Sequence, residues 1–228
     1  MQREGIDFTE VYAPVSKHST MRALLALVVS DDLVLHQLDV TTAFLNGELD
    51  EDLYMVQPPG YEQGGPNIVC HLQRALYGLR QAPRAWHKKL KSTLLELGFA
   101  ESESDPGLFS LQLTDNYPTF VLVYVDDMLL VSDEITKVMD VIDKLSKAFA
   151  LKDMGEAAVF VGLEIDRNPS AGTLKVSQSR MALDIVSRYG MGNAKGKPIP
   201  LNPCTKLLKD TGNLLDTTLF DYSALVAV

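Results

Sequence analysis

A chain of 228 residues, 46% hydrophobic and 22% charged, has an ordinary globular composition and the length for one large domain or two small ones around a real core. No apolar run approaches the roughly 20 residues that span a bilayer, and the opening "MQREGIDFTE" is too polar for a signal peptide, so neither a membrane span nor secretion is expected. The net charge of −9 at first argues against a nucleic-acid partner, which usually demands a basic surface.

The charge is distributed in blocks. Residues 31–62 carry eight Asp/Glu and no Lys/Arg, and residues 101–134 again carry eight and none. Between them, residues 71–95 carry six Lys/Arg and no acid. Such blocks either hold cations and polyanions at neighbouring places or are solvated loops around one basic helix. Cys70 and Cys204 lie far apart, match no metal-ligand spacing, and read as free thiols in a reducing cytosolic or nuclear compartment.

In chain order, "STMRALLALVVS" reads as a buried helix with Ser19 or Thr20 as its cap. "LVLHQLDV" reads as a strand ending near Asp39, and "TTAFLNG" as a short helical turn stopped at Gly47. A short strand and a Pro/Gly-rich loop follow in "EDLYMVQPPGYEQGGPN". In "APRAWHKKLKSTLLELGF" the spacing of Trp86, Leu90, Leu94 and Leu97 predicts a helix, with Pro83 in its first turn and Gly98 at its C-terminal cap. "GLFSLQLT", "TFVLVYV" and "MLLVS" read as three strands, the last two joined across Asp126 and Asp127. "EITKVMDVIDKLSKAF" places Ile135, Val138, Val141, Ile142, Leu145 and Phe149 on one helical face. "VFVGLEIDR" and "TLKVSQSR" form a hairpin across "NPSAG", and the helix "SRMALDIVSRYG" ends at Gly190. From Lys195 the chain is Pro-rich and reads as irregular. The mixed order predicts an α+β fold, an antiparallel sheet with helices on one face.

Asp126 and Asp127 sit inside "FVLVYVDDMLLVS", one of the most apolar stretches of the chain. A carboxylate there costs several kcal/mol unless it is paired, hydrogen-bonded or bound to a metal. No Lys or Arg lies between Glu101 and Lys137, and two-residue hairpins favour Asn-Gly or Asp-Gly over Asp-Asp. Hard divalent cations such as Mg²⁺ take carboxylate oxygens. Asp39, at the end of another strand, is a third candidate ligand if the two strands are neighbours. Alone, an Asp at a strand end is a turn or cap residue. Three of them at one sheet edge fit two-metal phosphoryl transfer.

"YVDD" at 124–127, with "LDVTTAFLNGELDEDLYMVQPPGY" and "LQRALYGLRQAPRAW" before it, closely resembles the reverse transcriptase of copia-type LTR retrotransposon Pol polyproteins. "GIDFTEVYAPVSKHSTMRALLALV" and "KDMGEAAVFVGLEI" resemble flanking blocks of the same family, in order from about Gly5 to Pro203. The resemblance implies a right-hand polymerase palm with partial fingers and the start of a thumb. Residues 1–33 would be partial fingers and an entry helix, 34–176 the palm with a fingers insertion at about 48–80, and 177–228 the beginning of the thumb. The implied activity is RNA-directed DNA polymerisation. Asp39, Asp126 and Asp127, with the Val40 carbonyl, would bind two Mg²⁺ ions, with Mn²⁺ as a substitute, while a primer 3′-hydroxyl attacks a dNTP.

By the same resemblance Phe44 matches the gate against a ribose 2′-hydroxyl. Tyr77, Gly78 and Pro83 would line the nascent base pair and template, and Arg80 and Arg84 would meet template or triphosphate. Tyr124 would contact the primer end, and Phe160, Gly162 and Leu163 would form the primer grip, with Gly162 at a close backbone approach. Lys152 lies in a block where a basic group would sit near pyrophosphate. Each has a plain alternative: a core Phe, solvated arginines, an ordinary hairpin. The implied partners are an RNA or DNA template–primer, dNTPs and the rest of Pol (RNase H, integrase), in a cytoplasmic virus-like particle or the nucleus. The family's basic fingers strands begin upstream of "GIDF", and "FDYSALVAV" looks like the start of a further block, so a fragment of a polyprotein is expected. The competing reading is a non-catalytic remnant or an adopted nucleic-acid-binding module; an unrelated metal-dependent phosphotransferase or nuclease would not need "ALYGLRQAPRAW" or "FVGLEI".

Overall fold

A computed structural model of the protein describes residues 2–65, 67–112 and 117–196. In chain order the elements are α1 (His18–Ser30), β1 (Val34–Val40), a 3₁₀ turn (Ala43–Asn46), β2 (Tyr54–Val56), β3 (Val69–His71), α2 (Ala82–Glu96), β4 (Ala100–Glu101) and β5 (Leu108–Leu111). They continue with β6 (Thr119–Tyr124), β7 (Asp127–Ser132), α3 (Ile135–Ser146), β8 (Leu151–Glu156), β9 (Val159–Phe160), β10 (Leu163–Asn168), a second 3₁₀ turn (Pro169–Ala171), β11 (Thr173–Ser177) and α4 (Ser179–Arg188). Residues up to Val176 form one compact unit, and α4 belongs to a second that begins at Ser177. Among the described residues no helix is long and apolar enough to cross a membrane.

The main sheet has six antiparallel strands in the order β4-β5-β6-β7-β1-β8. Its centre is buried on both faces. On one face Leu38, Val40, Val121, Val123, Met128 and Leu130 pack against Trp86, Leu90 and Leu94 of α2 and Val138, Val141 and Leu145 of α3. On the other, Leu35, Leu122, Leu129 and Val131 pack against Met21, Leu24, Leu25 and Val28 of α1 and against Phe160, Leu163 and Ile165 of the small β11-β10-β9 sheet. The expectation of helices on one face is therefore corrected. The unbroken apolar runs of β6 and β7 carried the signal, since a half-exposed strand would alternate. Each large side chain fully buried this way stabilises by about 1.5–3 kcal/mol.

Local departures from the expectations have local causes. The N-cap of α1 is Lys17, with no side-chain cap, so Ser19 and Thr20 lie inside the first turn. Leu151–Glu156, polar and carrying Gly155, forms an edge strand because β1 offers it a partner. "VFVGLEIDR" is two strands rather than one, turning at Val161–Gly162 between paired Phe160 and Leu163. On α3, Ile135 is exposed while Val138, Val141 and Leu145 are buried. Gly47 ends its turn in extended conformation, and a Cβ there would lie 2.8 Å from the backbone nitrogen of Trp86, so close packing on α2 explains it. Cys70 is a free thiol, whereas Cys204, most of the proposed thumb segment and the Pro-rich tail beyond Gly196 lie outside the described residues.

Candidate active site

The site is built where β1, β6 and β7 end together. Tyr124 pairs with Asp127, so the two-residue turn of the β6–β7 hairpin is Val125–Asp126, one residue earlier than the expected Asp-Asp turn. Val125 has φ 57°, a left-handed conformation that is an outlier for a β-branched residue. Its carbonyl accepts a 2.8 Å hydrogen bond from the indole Nε1–H of buried Trp86. The Asp126 carbonyl accepts one from the Val40 N–H at 2.8 Å, tying the end of β1 to the turn.

β1 and β7 are neighbours, and their register sets Asp39 directly across from Asp127. Side chains paired this way share a face, with Cβ atoms about 4.5–5.5 Å apart, and like charges there repel. Lys152 of β8 pairs with Asp39 on its other side, so Lys152, Asp39, Asp127 and Tyr124 form one row across four strands. Asp126 is half-buried; its Oδ2 accepts from the Tyr77 hydroxyl at 3.2 Å, while its buried Oδ1 has no partner. Asp127 Oδ1 accepts from the Gln37 amide at 3.3 Å. Burial pushes the Asp126 carboxyl up, helped by the charges of Asp39 and Asp127 against the Tyr77 bond. Burial also raises Asp127, with the Asp39 charge adding and the Gln37 bond opposing. Tyr77 is itself raised by burial and by Asp126.

This donor set suits a hard divalent cation: carboxylates driven together against repulsion, with one buried oxygen unsatisfied. As the side chains stand, no group of three or more His, Cys, Asp or Glu among the described residues is arranged to hold a metal ion. Tyr77 and Gln37 each hold one of the carboxylates.

The other sequence-predicted residues divide into those at the site and those away from it. The Phe44 ring packs against that of Tyr77, tilted by 42° with centroids 4.6 Å apart, so Phe44, Tyr77 and Asp126 form a connected chain. Thr42, which launches the Phe44 turn, has φ 53°. Tyr77, Gly78 and Arg80 line a cavity of about 600 Å³ with Tyr54 and Met55. Arg80 lies over the Phe8 ring, 5.6 Å from its centroid. Pro83 lines a separate apolar cavity with Phe44 and Val125. Arg84 is held by Glu10 at 2.5 Å. Phe160 and Leu163 are buried in the core, whereas Gly162 in the Val161–Gly162 turn between them is exposed. A Cβ on Gly162 would meet nothing within 4 Å; its φ of 72° is what calls for glycine.

The three lysines of the basic block are engaged by the acidic ones: Lys88 meets Asp50, Lys89 meets Glu48 and Lys91 meets Glu101. Two participants escaped the sequence reading. Trp86 was legible only as core, although a buried indole N–H demands an acceptor. Gln37 lies two residues before Asp39 on the same strand face, a placement that period-2 alternation reveals.

The family described as "Reverse transcriptase (RNA-dependent DNA polymerase)" matches residues 1–203. The chain is 42% identical over 226 residues to the retrovirus-related Pol polyprotein from transposon RE1 of Arabidopsis thaliana, covering 99% of this chain and 15% of that protein. It is 40% identical over 209 residues to the Pol polyprotein from transposon TNT 1-94 of Nicotiana tabacum, covering 91% of this chain and 16% of that protein. A putative transposon Ty5-1 protein of Saccharomyces cerevisiae is 35% identical over 184 residues, or 79% of this chain and 59% of that protein. The chain thus spans about one-seventh of the length of the two plant relatives. The match over residues 1–203 and these relatives establish that the chain belongs to the reverse transcriptase family of retrotransposon Pol polyproteins.

Proposed function

We propose that this chain carries the catalytic centre of an RNA-directed DNA polymerase, on a right-hand palm whose active edge is the Asp39–Asp126–Asp127 corner. The observation that supports it most is the direct pairing of Asp39 with Asp127, beside an Asp126 whose buried oxygen lacks a partner. Asp39, Asp126, Asp127 and the Val40 carbonyl would hold Mg²⁺, which when bound supplies charge neutralisation for the attacking and leaving oxygens of nucleotidyl transfer. Tyr77 holds the Asp126 carboxylate until that role is taken up. Phe44, fixed against Tyr77, blocks a ribose 2′-hydroxyl and so selects dNTPs. Tyr77, Gly78 and Arg80 border the nucleotide and template, and the Val161–Gly162 turn borders the primer.

Primer extension on an RNA template with Mg²⁺ is the test. Asp126→Asn abolishes extension while the chain stays folded; equal activity in variant and parent would sink the assignment. In an active parent, Phe44→Ala raises ribonucleotide incorporation, and an unchanged ratio means that Phe44 is plain core.

A second reading, a nucleic-acid-binding module without catalysis, draws on the engagement of Asp126 and Asp127 by Tyr77 and Gln37. Mg²⁺ titration separates the two. A polymerase centre gains thermal stability with Mg²⁺ through those carboxylates, and a binding module does not.

A further inference from the structure

We propose that the cavity between α2 and the Val125–Asp126 turn is a binding site for a small, flat, apolar molecule that carries one hydrogen-bond donor. The cavity measures about 240 Å³, and its walls include Val15, Phe44, Trp86, Leu90 and Val125. None of its lining residues is an acid, a lysine or an arginine, so nothing there recruits an ion. An apolar cavity of about 150 Å³ accepts benzene, so this volume suits a two-ring molecule.

His87 supplies the polar end of the site. Its ring interacts with the Pro106 carbonyl, and its Nε2 is buried without a hydrogen-bond partner. A ring nitrogen facing a carbonyl must donate, which leaves the other nitrogen of a neutral imidazole as an acceptor. Burial lowers the His87 pKa and keeps the ring neutral near pH 7. An acceptor buried in this way favours a ligand that donates to it. Apolar side chains do not supply the two to four polar partners that hold a buried water. The occupant would touch Val125, in the hairpin turn, and Phe44, which packs against Tyr77.

The test uses 2-naphthol and naphthalene, with binding read by NMR on the chain as it is. Saturable 2-naphthol binding is expected, with shifts at the Val125 amide and the His87 ring, and naphthalene should bind about tenfold more weakly. His87→Leu should erase that preference while keeping naphthalene binding. Val15→Trp, at the exposed rim, should exclude both probes with the fold intact by thermal unfolding. Absence of saturable binding overturns the proposal, as does a 2-naphthol preference that survives His87→Leu. If His87→Leu does not fold, Val15→Trp decides alone, and unchanged binding in it overturns the site. Because binding is read directly, an inactive polymerase leaves this result unaffected.

Discussion

The β6–β7 and β9–β10 hairpins each turn on two residues, and each begins that turn with a valine in the left-handed region: Val125 at φ 57° and Val161 at φ 49°. They part at the second residue. Gly162, at φ 72°, gives the second positive φ of a type I′ turn. Asp126 lacks a positive φ and instead brings a half-buried carboxylate beside two others. One turn thus carries only backbone strain, while the other adds desolvation and like-charge repulsion. The β6–β7 turn also has a side-chain support, the Trp86 indole on the Val125 carbonyl. Strain that accumulates with a buried, unsatisfied charge is the pattern of a site kept for chemistry.

Asp126→Asn breaks that contrast most sharply. Primer extension should fall by on the order of 10³-fold or more, as when a transition-state stabiliser is removed. The same variant should melt higher than the parent, because it removes one of three crowded charges. Activity and stability therefore move in opposite directions. A variant that loses both would mean that Asp126 is structural.

Much of this was readable in the residues, and the unread parts have physical reasons. The helical spacing of Trp86, Leu90 and Leu94 and the apolar runs of β6 and β7 gave those elements nearly to the residue. The carboxylate corner followed from Asp39 at one strand end and a charged pair within an apolar run. Strand β8 was not legible, because an edge strand needs only a partner backbone and "LKDMGE" has no apolar alternation. The turn position slipped by one residue because Val125 adopts a conformation that its own side chain disfavours. The Arg84–Glu10 pair was not legible either, because its two members lie 74 positions apart. Long-range pairing of that kind has no local signature.

Trp86→Phe tests the support itself. The variant keeps an aromatic ring against Phe149, whose centroid lies 5.1 Å away, and deletes only the donor to Val125. Val125 is half-buried, and a carbonyl held from water there without a partner costs about 1–3 kcal/mol, which denaturant unfolding measures. If the indole positions the hairpin, kcat falls while nucleotide KM holds. A loss of stability with unchanged kcat would confine Trp86 to packing.

Gly162→Ala applies the comparison to the other hairpin. Space is no obstacle there, so the whole effect is the left-handed backbone, about 1–2 kcal/mol for an added Cβ. Denaturant unfolding should show that loss, with the carboxylate corner unaltered in Mg²⁺ binding. No loss would mean that the β9–β10 turn relaxes freely and is not held as a type I′ turn.

The smallest effect is the pH dependence of the Asp126→Asn stability gain. Asp126 and Asp127 have folded-state pKa values raised above 3.8, first of all by burial. The folded chain therefore holds these protons more tightly than the unfolded chain. Stability from that source is fully present below the unfolded value and is lost as pH rises through the raised folded values. The parent should thus melt close to Asp126→Asn near pH 3.5 and fall behind it as pH approaches 7. Mg²⁺ at pH 7 should narrow the gap, since it binds the carboxylates only when they are ionised, and EDTA should restore it. A gap constant across this range would place the stabilisation in the loss of the Tyr77 contact geometry rather than in the charge. The strain of this hairpin would then lie in its backbone alone, like that of its neighbour.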